Sequence, residues 1–142
     1  MAKFDAIRTA LQTRLKSIQG LAVYDVWPDQ ISEVPCAIIQ PMGGSYEETF
    51  GNAPAASFHR FAIQLYVSAA GGLTQGQRNL DPLLATSSTG GIYGAIGTDR
   101  SLGAVVWNTF VRGYHDYGPY GGDESTPPAL MGVIVDVEVQ TS

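Results

Sequence analysis

The segment Phe58-His59-Arg60-Phe61-Ala62-Ile63-Gln64-Leu65-Tyr66-Val67-Ser68 sets Phe61, Ile63, Leu65 and Val67 on one side and Arg60, Gln64 and Tyr66 largely on the other. A period of two over this length predicts a half-buried antiparallel strand. The closing stretch, Ala129 to Gln140, alternates in the same way: Met131, Val133, Val135, Val137 and Val139 against Gly132, Ile134, Asp136 and Glu138. Both belong to one mostly antiparallel sheet. The rest of the chain is read outward from this pair.

Upstream, Phe4, Ile7, Leu11, Leu15 and Ile18 recur at spacings of three and four, which places them on one stripe of a helix. Arg8, Gln12, Arg14 and Lys16 fall mostly off that stripe, and Gly20 is a natural stop. Such a helix is marginal alone in water, so its stripe must dock. Fully buried, each side chain contributes about 1.5–3 kcal/mol at most. Ala22 to Trp27 reads as a strand ended by Pro28, which cannot donate to a ladder. Val34 to Gln40 is a second, bracketed by Pro35 and Pro41. Its run Cys36-Ala37-Ile38-Ile39 predicts burial on both faces, with the helix on one side. Met42-Gly43-Gly44 reads as a turn, Ser45 to Phe50 as a further strand, and Gly51 to Ala56 as a loop or hairpin tip.

Downstream, Thr74 and Gln77 match a capping box, with Leu73, Leu80, Leu83 and Leu84 as the apolar side of a helix. Pro82 is expected either to kink it or to start a fresh turn capped by Asp81. Ser87 to Gly91 is a joint, and Ile92, Ala95 and Ile96 make a short helix weakened by Gly94. The turn Thr98-Asp99-Arg100-Ser101-Leu102-Gly103 then launches a long strand, Ala104 to Tyr114. Gly118 to Pro128, rich in Gly, Pro and Tyr, precedes the last strand. The order is one helix, four strands, a helical insert and two strands. It predicts one α/β (α+β) domain over residues 1–142, a mostly antiparallel twisted sheet packed against the N-terminal helix and the insert.

Composition narrows function. The formal net charge is −5, and the eight Lys and Arg are widely scattered, which argues against direct DNA binding as the main activity. Charged residues make up only 15% of the chain, and so uncharged a surface suits contacts with neighbouring subunits. Lys3 and Arg8 flank an amphipathic segment that is neither a signal peptide nor a membrane span, so synthesis in the cytoplasm is expected. The one cysteine, Cys36, reads as a small buried hydrophobe.

Few residues suggest chemistry. His115-Asp116 is the only adjacent acid–base pair, and strand neighbours point to opposite faces, so it reads as a polar strand-end pair. His59 reads as a surface or interface histidine. Glu47-Glu48 and Asp123-Glu124 supply too few oxygens for calcium and read as solvated acidic loops. The Gly pairs read as turns, with no phosphate-loop pattern following them. More informative is Tyr114-His115-Asp116-Tyr117-Gly118-Pro119-Tyr120-Gly121-Gly122. Tyrosines on a glycine-rich loop give large contact area at low entropy cost, which suits protein–protein contact. The alternative is that they fold back over an open sheet edge.

The order of Ile7 to Ile18, Tyr24 to Pro28, Pro35 to Ile39, Phe61 to Val67, Leu80 to Leu84, Asp99 to Gly103 and two closing strands resembles the tail terminators of long-tailed, siphovirus-type bacteriophages. The similarity covers nearly the whole chain and rests on patterning and order. Two departures stand out: Ala104 where a second Gly is common, and the extended Tyr/Gly loop after Gly113. The resemblance implies a non-enzymatic virion protein without cofactor or metal. It would form a hexameric ring on the head-proximal end of the tail tube, end tube polymerisation and dock neck and head-completion proteins. DNA would pass through without specific binding, and no membrane is involved. The expected contact residues with neighbouring subunits or the tube are Tyr46, Glu47, Glu48, Phe50, Tyr114, His115, Tyr117 and Tyr120. Two rivals stay open: a head-closure or head–tail connector of the same virion and, more distantly, a hydrolase using His115 or His59.

Overall fold

A computed structural model describes residues 4–24, 34–45, 57–69, 72–85, 91–120 and 130–141. The order of elements is α1 (Phe4–Leu15), β1 (Ala22–Tyr24), β2 (Cys36–Ser45), β3 (Ser57–Ser68), α2 (Leu73–Leu84), α3 (Ile92–Gly97), β4 (Asn108–Tyr120) and β5 (Leu130–Thr141). The fold is α+β. Its five strands form one sheet in the order β1-β2-β3-β5-β4. β1 runs parallel to β2 and every other pair is antiparallel, so the sheet is mixed with an antiparallel majority.

The alternation seen in sequence decides which face is packed. Phe61, Ile63, Leu65 and Val67 of β3 and Met131 to Val139 of β5 bury their odd-numbered residues in a single core. Ile7, Leu11, Leu15 and Ile18 enter the same core, as do Leu80, Leu83, Ile92, Ala95 and Ile96. All three helices therefore lie on one side of the sheet. Helix α2 comes so close that a Cβ on Gly76 would sit 3.1 Å from Met131 Cβ and 3.2 Å from Ala69 Cβ. The Cys36 to Ile39 run is buried on both faces, as its unbroken apolarity predicts.

The residues off the α1 stripe do more than face water. Gln12 Nε2 donates to Val23 O at 3.2 Å, and Arg14 donates through Nε and Nη2 to Ala95 O at 3.1 and 2.9 Å. One helix is thereby tied both to the edge strand β1 and to the last helix. The helix ends at Leu15, before the expected stop at Gly20; Ser17 N donates to Arg14 O and Ile18 N to Leu15 O in tighter turns, and Gly20 takes φ +82° beyond them.

Several boundaries differ from expectation. β2 does not stop at Pro41. It runs on to Ser45, with Met42 to Gly44 inside the strand and a register shift between Pro41 and Gly43. The shift absorbs the donor that proline lacks. Helix α2 starts at Leu73 after Gly72, without a side-chain cap, so the Thr74–Gln77 capping box does not form. With Gly72 at the capping position the helix starts two residues earlier than a Thr74 cap would set it, which places Thr74 inside the first turn. Pro82 lies within the last turn of a continuous α2, so Asp81 caps no fresh turn.

The long strand starts at Asn108 rather than Ala104 because Leu102, Gly103 and Ala104 take left-handed φ values of +52°, +72° and +66°. That turn is held by Asp99, whose Oδ1 accepts from Ser101 Oγ at 2.6 Å and Oδ2 from Gly103 N at 2.8 Å. These bonds hold the Asp99 carboxyl below its ordinary pKa. At its other end β4 continues to Tyr120, so the sequence expected as a loop from Tyr114 is mostly strand. Of the expected strand Ser45 to Phe50 only Ser45 is described, as the end of β2; residues 46–50, the loop Gly51 to Ala56, Trp27-Pro28, residues 87–90 and Asp123-Glu124 lie outside the described residues.

Candidate functional site

Among the described residues strand β4 is an edge of the sheet, hydrogen-bonded to β5 alone. An edge strand carries outward-facing N–H and C=O groups that must find water, side chains or another chain. The two edges are treated differently. On β1 the outward Val23 carbonyl is occupied by Gln12. On β4, among the described residues, only the first outward residue is sealed: Thr109 O accepts from Arg100 Nη1 at 3.1 Å, and Thr109 N donates to Asn108 Oδ1 at 2.9 Å. Beyond it, Arg112 to Asp116 are all exposed.

Two irregularities shape this exposed stretch, one between Val111 and Gly113 and one between His115 and Gly118. The second corrects the expectation for His115 and Asp116. In a regular strand they would face apart, but Asp116 takes φ +56° at the bulge. Its Oδ2 lies 3.1 Å from His115 Nδ1, while Asp136 Oδ1 on β5 lies 3.2 Å from His115 Nε2. Hydrogen bonding to Asp136 and then to Asp116 raises the imidazole pKa above 6.5. The carboxylates lie on opposite ring nitrogens, so they cannot converge with His115 on one ion. Among the described residues no three His, Cys, Asp or Glu gather as a metal site.

The expected contact residues separate into three groups. Tyr114 is 62% exposed. Tyr117 and Tyr120 are turned inward. Tyr117 donates its hydroxyl to Asp81 Oδ1 at 2.6 Å, and burial followed by Asp81 pushes its pKa up to about 12. Tyr120 donates to Asp116 O at 2.9 Å and sets its ring edge-on to Tyr66, centroids 5.3 Å apart. Its ring lies over Gly132, where a Cβ would meet Tyr120 Cε2 at 2.8 Å. These two tyrosines are tied to helix α2 and to the face of β3 and β5. Tyr46, Glu47, Glu48 and Phe50 lie outside the described residues.

Other groups were missed in sequence. Trp107, 58% exposed, stands immediately before β4, inside what reads as a β-branched strand run. Arg112 bonds Glu138 Oε1 at 3.0 Å with its guanidinium 4.6 Å above the Phe110 ring. Beneath the exposed part of β4 lies an apolar recess of about 240 Å³, walled by Leu83, Leu84, Ile92, Tyr93, Tyr114 and Val135. Its walls come from three distant stretches of chain, which no local pattern brings together.

The remaining reactive groups are withdrawn. His59 was expected at a surface or interface but is buried, because its position two residues before Phe61 turns it to the packed face. Burial lowers its pKa below 6.5. Cys36 is buried, and loss of hydration pushes its thiol up to about 11, far from a nucleophilic thiolate at neutral pH. Among the described residues no helix is long and apolar enough to cross a membrane. No protein-family model matches the chain, and no curated protein matches it in sequence.

Proposed function

We propose that this chain is a structural subunit of a phage tail, a terminator that assembles as a ring on the head-proximal end of the tail tube. The observation that carries the reading is the long edge strand β4, sealed at Thr109 and exposed from Arg112 to Asp116. A ring needs a heterologous contact, one surface of a subunit meeting a different surface of the next. An edge strand with an exposed tyrosine is such a surface. The order of segments that carries the resemblance to tail terminators supports the same reading, with helix, sheet, helical insert and two closing strands. In this reading the partners are further copies of the chain, tube protein and neck proteins, and DNA passes through the ring without specific contacts.

The test is electron microscopy of particles from a phage whose copy of this gene is disrupted. Unattached tails of irregular or excessive length beside filled heads are the expected result. Tails of normal length that fail to join heads would instead assign the chain to the head-closure or connector position. Intact infectious particles would remove the reading altogether.

A further inference from the structure

We infer that the exposed part of β4 is a receptor for an extended strand of another protein chain, which adds to the sheet at Val111–Tyr114 and seats one bulky apolar side chain in the recess beneath. The inference rests on the reading of β4 as a contact surface and names the kind of partner it takes. It does not depend on where in a particle the subunit stands.

Backbone chemistry selects the occupant. Outward N–H and C=O groups of a strand are matched, group for group, by another extended chain, whereas a helix or a flat surface leaves them unpaired. Where this fold closes an edge it does so with side chains, Gln12 on Val23 and Arg100 with Asn108 on Thr109. No corresponding seal is found from Val111 to Tyr114 among the described residues, and Gly113 leaves open space where a side chain would stand. A partner backbone can therefore come close at that point.

Strand addition alone is indifferent to sequence, and selectivity comes from recesses that accept alternate side chains of the added strand. The recess of about 240 Å³ opens along Val111, Arg112, Gly113 and Tyr114. A cavity of roughly 150 Å³ holds a benzene ring, so this one holds a single leucine, methionine or phenylalanine side chain. Tyr114 and Tyr93 stand exposed at its walls, where aromatic faces would close over the inserted group. The register shifts between Val111 and Gly113 and between His115 and Gly118 break up regular pairing and limit the addition to a short stretch.

The experiment titrates the full chain with a short fluorescent peptide of alternating threonine and leucine, read by anisotropy. Two further peptides carry N-methyl groups on one set of alternate residues or on the other. An added strand uses one rim only, so one methylated peptide should bind like the parent and the other at least roughly tenfold more weakly. Tyr114→Ala, which loses no hydrogen bond, should weaken the parent peptide by a similar factor. Equal binding of the two methylated peptides would mean a non-specific apolar contact and overturns the inference. Absence of binding by the parent peptide overturns it as well. Neither result depends on the particle phenotype, so failure here is distinct from failure of the terminator reading.

Discussion

The hydroxyl of Tyr117 on β4 donates to Asp81 Oδ1 on α2 at 2.6 Å, joining residues 36 positions apart in the chain. This bond fastens the edge strand to the helical layer just past the exposed stretch. Removing the hydroxyl with Tyr117→Phe should destabilise the fold by about 1 kcal/mol, since the acceptor is a carboxylate but the site is partly hydrated. Tyr117→Phe and Asp81→Asn should be less than additive in a double-mutant cycle read by urea unfolding. There is also a pH signature. The folded phenol is pushed up to about 12 from an ordinary 10.0, so its contribution is full below 10.0 and is lost as pH rises towards about 12. Tyr66 and Tyr120 are raised above 10.0 as well, so phenolate absorbance should show several tyrosines ionising late, and Tyr117→Phe should remove the component near about 12.

Ala104 holds φ +66° directly after Gly103 at +72° and Leu102 at +52°. A side chain with a Cβ is disfavoured there by about 1–2 kcal/mol, partly offset because glycine loses more freedom on folding. Ala104→Gly should therefore stabilise the protein by about 0.5–1 kcal/mol. Gly103→Ala should destabilise it by a comparable amount even though the added Cβ meets nothing within 4 Å. Both are read as shifts of the urea midpoint at constant slope. An unchanged midpoint for both variants would show that this turn is not under conformational strain.

That turn also marks where the sequence stops being readable. The periodicities of α1, β3 and β5 report directly on burial, because each repeats one side of a regular element against a single core. Their core residues could be named in advance. The left-handed turn could not, since Leu102 and Ala104 are residues that ordinarily avoid that region, held there by Asp99 hydrogen bonds to Ser101 and Gly103. The start of β4 was misplaced for that reason. Likewise His115 and Asp116 are brought together by a bulge, and a bulge shifts the period by one without any residue announcing it. The direction of each tyrosine was legible only as alternatives. Tyr117 and Tyr120 turn inward because Asp81 and Gly132 happen to lie opposite them, which is a tertiary fact.

Thr109 is fully buried at the start of β4, and its hydroxyl has no hydrogen-bond partner among the described residues. Its backbone groups are bound by Arg100 and Asn108, so the cost falls on the side chain alone. An unpaired buried hydroxyl costs roughly 1–3 kcal/mol, and valine replaces it with a methyl of similar shape. Thr109→Val should therefore stabilise the protein by about 1 kcal/mol, which for a chain of this size is a rise of about 2–4 °C in Tm. Thr109→Ser keeps the hydroxyl and loses a methyl, and it should lower Tm. Equal or lower stability of the valine variant would place a bonding partner at that hydroxyl.

The two histidines act on stability in opposite directions, one on each side of pH 6.5. His115 lies between Asp116 and Asp136, with the Arg112–Glu138 pair on the neighbouring positions, and its folded pKa is raised above 6.5. Its contribution is complete below 6.5 and is lost as pH rises through the folded value. His59 is buried, and its folded pKa is lowered below 6.5. Its contribution is complete above 6.5 and is lost as pH falls towards the lower value. In the wild-type chain the His59 loss lies on the acid side of 6.5 and the His115 loss on the alkaline side, so on their account Tm should pass through a maximum near 6.5. His115→Gln exposes the His59 slope, and Tm should then fall towards acid. His59→Gln exposes the His115 slope, and Tm should then fall towards neutral and above, whatever its absolute level. The sign of each slope is the readout, because loss of packing at His59 lowers Tm at every pH but cannot reverse its dependence. Two variants with parallel pH profiles would mean that the Asp116–His115–Asp136 arrangement does not hold a proton in solution.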